Sequence, residues 1–188
     1  MVRCFVALDL PEPVRNHLAN VTRPLHGQFD VRWVPPDQMH ATLVFAGELA
    51  DDAWRALAAA IDEVALPPLS LHLQTLGHFP PKGVPRVLWA GLHGDVDAVV
   101  QLHADLTARA IALEVPRDKR GFTPHVTLGR LKTTFGALAL TGAMQKLAPA
   151  LRSKPFAPVA LTLYASELQP SGPIYEVLHR RALPPAAG

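Results

Sequence analysis

"TPHVTLGR", residues 123–130, and "QMHATLVF", residues 38–45, decide how this chain is read. Both contain His-x-Thr-Leu, and the second histidine stands 85 positions after the first (125 − 40). In an extended strand, side chains two apart share a face. His40 and Thr42 therefore point one way while Ala41 and Leu43 point the other, and His125 and Thr127 stand likewise against Val126 and Leu128. Each string sets an imidazole beside a hydroxyl on an open face and anchors the opposite face with apolar groups. One such string arises readily by chance, and a strand histidine is most often a packing residue. Two copies at matching places shift the balance toward a shared task.

Working outward, helices and strands alternate in two comparable rounds. Residues 3–10 read as an apolar strand, and Pro11 and Pro13 open a helix that runs to about Thr22. Two strand-like segments, 29–34 and 39–47, flank the Pro35-Pro36-Asp37 break. The clearest helix covers 51–66, with Asp51 and Asp52 at its positive end. Strands follow at 69–79 and 86–92, then a helix over 96–113 opened by Asp95. The second round closes with "GFTPHVTLGRL", a weaker helix at 142–151, and strands at 159–168 and 173–181. Short neighbouring strands between helices predict an α+β fold with antiparallel sheets: two lobes related by an approximate two-fold axis, with a groove between them. We expect one bilobal domain over 1–183 and a short C-terminal tail over 184–188.

The chain has 188 residues, 49% of them apolar and 18% charged, a balance that suits a single globular unit. Its 19 prolines punctuate segment junctions and form no repeat. Cys4 is the only cysteine, which excludes an internal disulfide and an all-cysteine metal site. The opening apolar run is too short for a signal peptide or a membrane span, so a cytoplasmic location without membrane attachment is expected. A net charge of +2 does not announce a nucleic-acid binder, although it leaves room for a local basic patch.

Two imidazoles facing each other across a groove suit hydrolysis of a phosphodiester. With a reference pKa near ~6.5, one can serve as general base while the other serves as general acid, each worth about 10²–10⁴ in rate. Threonine hydroxyls beside them can hold non-bridging oxygens as charge builds. Neither string has a second His, Asp or Glu at ligand spacing, so a metal site is the weaker reading.

With these motifs and their flanks ("RCFVALDLPEPVRNHL", "WVPPDQMHATLVFAGEL", "RVLWAGL", "FTPHVTLGRL" and "LTLYASELQPSGPIYEVL"), the sequence resembles the two-histidine (2H) phosphoesterases. Within them it is most similar to the RNA 2′,3′-cyclic phosphodiesterases, also called 2′-5′ RNA ligase-like proteins. The resemblance spans nearly the whole chain and implies a bilobal fold around a central groove. It makes His40 the proton donor and His125 the proton acceptor, with Thr42 and Thr127 on the phosphate. The implied reaction is hydrolysis of a terminal 2′,3′-cyclic phosphate on RNA to a 2′-phosphate, in a monomer without metal or nucleotide cofactor. Weak 2′-5′ joining is implied by the same acid–base cycle.

Arg130, five residues past His125, is a candidate phosphate contact, although simple alternation points it away from that histidine unless the strand bulges. Phe45, Arg117, Lys119, Arg120 and Phe122 are candidate RNA contacts, the cations along the backbone and the rings against bases. For each of these cations a solvated loop is the competing reading, and for each ring the core is. Trp33, Trp89 and Tyr164 are assigned to packing. His72 and His78 lie on a strand that can border the groove, and His17, His26, His93 and His103 are expected to have no catalytic role. A hydrolase of small nucleotide cyclic phosphates and a non-catalytic nucleotide- or phosphate-binding module stand as the alternatives.

Overall fold

The computed structural model describes residues 1–116, 121–170 and 172–185. The eight strands are β1 (Val2–Asp9), β2 (Val31–Trp33), β3 (His40–Leu49), β4 (Leu71–Phe79), β5 (Val87–Gly94), β6 (His125–Leu131), β7 (Ala160–Gln169) and β8 (Gly172–Ala182). The helices are α1 (Glu12–Thr22), α2 (Asp51–Glu63), α3 (Val96–Ala112) and α4 (Ala137–Leu151). The strands form two four-stranded antiparallel sheets, ordered β3-β1-β7-β8 and β2-β6-β5-β4. The α+β class with antiparallel sheets is therefore what the structure shows.

The halves of the sequence are not the sheets. β4 comes from the first round yet pairs with β5, and β7 comes from the second yet pairs with β1. The orders β3-β1-β7 and β6-β5-β4 correspond strand for strand, so each sheet holds one His-x-Thr strand and borrows a strand from the other half. β2 adds a further exchange by pairing with β6.

Alternation along the strands builds the core. Val6, Leu8, Ala41, Val126, Leu128, Leu161 and Leu163 are buried and turn away from the groove. Helices cover that apolar side: Val14, Leu18 and Val21 of α1 and Val99, Leu102 and Leu106 of α3 are buried at helical spacing. Each fully buried leucine contributes roughly 1.5–3 kcal/mol through apolar burial.

Two helix ends differ from the reading of the sequence. α2 stops at Glu63 instead of 66, and Arg181 of β8 donates from Nη1 to the carbonyls of Ile61 (2.8 Å) and Val64 (2.7 Å), giving the helix end a partner from far along the chain. α4 begins at Ala137, behind Gly136 at φ 76, and runs through Gly142, which had looked like a boundary. Among the described residues no helix is long and apolar enough to cross a membrane.

Candidate active site

The groove faces of β1 and β3 are written by their register. Asp9 is the partner of His40, Ala7 of Thr42 and Phe5 of Phe45. The ladder skips Leu43 between the pairs Ala7–Thr42 and Val6–Val44, and that bulge restores Phe45 to the face of the histidine. β6 does the same. Trp89 pairs with Thr127 and Leu88 with Gly129, so Leu128 is skipped and Arg130 returns to the face that carries His125 and Thr127. The bulge thus brings Arg130 to the groove, where unbroken alternation would have turned it away. Phe45 and Arg130 occupy equivalent places, 85 residues apart (130 − 45), so one half presents a ring where the other presents a cation.

Each bulged leucine has a carbonyl that the ladder does not serve in the usual way. Nδ1 of His103, on α3, lies 2.8 Å from the Leu43 oxygen, and the Val34 N–H donates to the Leu128 oxygen at 2.9 Å. His103 has a supporting role that its helical position did not advertise.

The two motif histidines are held alike. His40 Nδ1 is 2.7 Å from the Gln38 carbonyl and His125 Nδ1 is 2.6 Å from the Thr123 carbonyl, each two residues upstream. A carbonyl can only accept, so Nδ1 carries a proton in both rings and Nε2 is left to take or give one. His40 Nε2 is 3.1 Å from the Thr42 hydroxyl. The ring of His40 stacks on Phe5 at 4.8 Å and meets the edge of Tyr175 at 5.5 Å, while Phe79 packs edge-on against His125 at 5.0 Å.

Burial drives the His40 pKa down to about 4, and the nearby charges of His125 and Arg130 push the same way against the Gln38 carbonyl and Asp9, which favour the proton. That His125 and Arg130 act on His40 places the two sheets' motifs in one electrostatic neighbourhood. A groove of about 1630 Å³ is lined by His40, Thr42, Phe45, His125, Thr127 and Arg130 together.

Asp9 was not singled out from the sequence. It accepts hydrogen bonds from Thr162 Oγ1 (2.9 Å), Tyr164 Oη (2.7 Å) and Arg180 Nε (3.2 Å). Tyr164, assigned to packing, therefore belongs to this polar network. Burial and the Asp9 carboxylate raise its pKa. Trp33 lines the groove while stacking on His26 at 4.8 Å. Trp89 packs 6.0 Å from the His125 ring and over Gly77, where a Cβ would overlap the indole. Tyr175 also lines the groove, and burial raises its phenol pKa against the pull of Arg130, Arg32 and Arg3.

The model of the LigT-like phosphoesterases matches residues 8–89 and again 94–175, once for each half. This chain belongs to that family. As a LigT-like phosphoesterase of the 2H superfamily it is 31% identical over 196 residues to the RNA 2′,3′-cyclic phosphodiesterase of Thermus thermophilus, covering 97% of this chain and 90% of that one. The enzyme of the same name from Archaeoglobus fulgidus is 29% identical over 180 residues, covering 94% and 98%. The crystal structure of E. coli LigT complexed with 3′-AMP matches with a TM-score of 0.77 at 26% identity, over 97% of this chain and 98% of that one.

The other candidates of this LigT-like phosphoesterase fall in different places. Phe122 lines the groove, but one ring face is covered by His103 at 3.9 Å. His72 neighbours His93 at 5.8 Å, and His78 Nδ1 lies 2.8 Å from the Pro80 oxygen. Arg117, Lys119 and Arg120 lie outside the described residues. Among the described residues no group of three or more His, Cys, Asp or Glu side chains is placed to hold a metal.

Proposed function

We propose that this protein is a metal-independent RNA 2′,3′-cyclic phosphodiesterase that hydrolyses a terminal 2′,3′-cyclic phosphate to a 2′-phosphate. The carrying observation is that two Nδ1-anchored imidazoles, one from each sheet, line a single groove beside Arg130. In the forward reaction His125 Nε2 takes a proton from water as its oxygen attacks phosphorus. The P–O3′ bond breaks, His40 Nε2 gives its proton to the departing 3′ oxygen, and the phosphate stays on the 2′ oxygen. Thr42 and Thr127 donate to the non-bridging oxygens, and Arg130 offsets the charge that builds on them. Replacing the water by the 5′-hydroxyl of a second RNA gives a 2′-5′ phosphodiester by the same proton transfers, hence a weak joining activity. Phe45, with 43% of its surface exposed, offers a ring face for a base.

The test is hydrolysis of a short oligoribonucleotide ending in a 2′,3′-cyclic phosphate, in excess EDTA, with identification of the product isomer. The intact protein is expected to form the 2′-phosphate, and His40→Ala and His125→Ala each to slow it by about 10²–10⁴. Turnover that EDTA abolishes would overturn metal independence. Cleavage of small nucleotide cyclic phosphates without any cleavage of the RNA would move the reading to a mononucleotide hydrolase.

A further inference from the structure

Directly opposed positions of an antiparallel ladder favour unlike charges, because like charges held side by side repel. The β2/β6 ladder breaks that preference inside the groove. Arg32 is the register partner of Arg130, and both are exposed and line the groove. Just past the ladder the same two segments obey it: Lys132 Nζ sits 3.7 Å from Asp30 Oδ1. On the other wall Arg3 stands beside its own ladder partner, Glu48. Arg130, Arg32 and Arg3 all line the same groove as Tyr175.

We propose that Arg32 and Arg130 form a second anion subsite, which holds the phosphodiester on the 5′ side of the nucleotide whose cyclic phosphate lies between the histidines. The assignment rests on the phosphodiesterase reading of the groove and names its substrate as a chain, not a mononucleotide. A 3′ end closed as a cyclic phosphate has no phosphate beyond it, so the next anion is the 5′ phosphodiester. Arg130 spans the two positions, acting on His40 at one end and standing opposite Arg32 at the other. An anion between the guanidinium groups accepts charge-assisted hydrogen bonds from both. The groove's volume of about 1630 Å³ accommodates this, being larger than the roughly 300–1,000 Å³ of sites for single small molecules.

Adenosine 3′-monophosphate and adenosine 3′,5′-bisphosphate differ only in the second anion, and their binding is measured by calorimetry at fixed salt. The intact protein is expected to bind the bisphosphate about tenfold more tightly, as one further charged contact supplies. Arg32→Gln is expected to erase that preference and Arg32→Glu to invert it, while the melting temperature of Arg32→Gln stays unchanged. An arginine with a purely structural role would instead lower the melting temperature and weaken both ligands alike. Equal affinities in the intact protein, or a preference that survives both substitutions, would overturn the subsite. Turnover of the oligoribonucleotide ending in a 2′,3′-cyclic phosphate separates the two readings. A binding preference without turnover of that RNA supports the anion subsite and counts against the phosphodiesterase, whereas turnover of the RNA without any binding preference does the reverse.

Discussion

In the proposed reaction His40 must hold a proton in a place that repels one. Burial and the facing His125 and Arg130 bring its pKa to about 4, so in the free protein at neutral pH the ring is neutral. A proton donor in that setting is strong but rarely loaded. In that proposed reaction the phosphate anion of a substrate supplies the missing countercharge, so that His40 gains its proton as the groove fills. In the resting protein the Gln38 carbonyl works in the same direction, and so does Asp9, from the position directly across the ladder. We expect Asp9→Asn to lower the His40 titration midpoint below its present value, read from the imidazole C–H resonances by NMR, and to reduce kcat by about tenfold, since one pKa unit corresponds to 1.36 kcal/mol. A variant whose His40 titrates as before would show that Asp9 only ties β1 to Thr162, Tyr164 and Arg180. At this scale His40, Thr42, His125 and Thr127 were legible because alternation is a local rule. Asp9 was not, because an aspartate ending an apolar strand reads as a boundary until its register partner is known.

The elements that aim these side chains are two bulged strands. Without the skipped Leu43 and Leu128, Phe45 and Arg130 would face the core side of their sheets. A bulge needs its displaced carbonyl satisfied, and the two halves use different donors: the imidazole of His103 on α3, and the backbone N–H of Val34 beyond β2. His103→Leu keeps the bulk but removes the donor. It is expected to destabilise the protein by about 1–3 kcal/mol, the usual penalty for an unpaired buried acceptor. Denaturant unfolding measures this, and a smaller fall in RNA turnover should accompany it as Thr42 and Phe45 lose their alignment. Unchanged stability would mean that the Leu43 carbonyl finds water instead. Nothing in "HATLVF" or "HVTLGR" marks the bulge, since an extra residue in a ladder is defined by the partner strand. The resemblance between the halves survives in the strings while the devices that support them have diverged.

Across the whole molecule, the same buried histidine makes stability depend on pH. In the unfolded chain His40 takes up its proton near ~6.5, whereas the fold holds it off until about 4. Between these values the unfolded state binds more protons, so acidification favours unfolding. The contribution is complete above about 6.5 and is lost as pH falls through 4, a total of about 3 kcal/mol for such a difference. Intact protein should therefore lose more stability than His40→Gln between pH 7 and pH 4, as followed by chemical denaturation at each pH. Parallel losses in the two proteins would place the acid sensitivity elsewhere.

The sequence by itself determined the elements, the antiparallel α+β class and the sharing of a face by each histidine and its threonine. These follow from side-chain period and helix propensity, which act over a few residues. Only the tertiary structure decided that β4 and β7 are exchanged between the halves, that β2 crosses to lie beside β6, that Arg32 joins the groove and that Asp9 stands opposite His40. Strand pairing is a long-range choice, set by which apolar faces bury together most completely, and no window along the chain contains both partners.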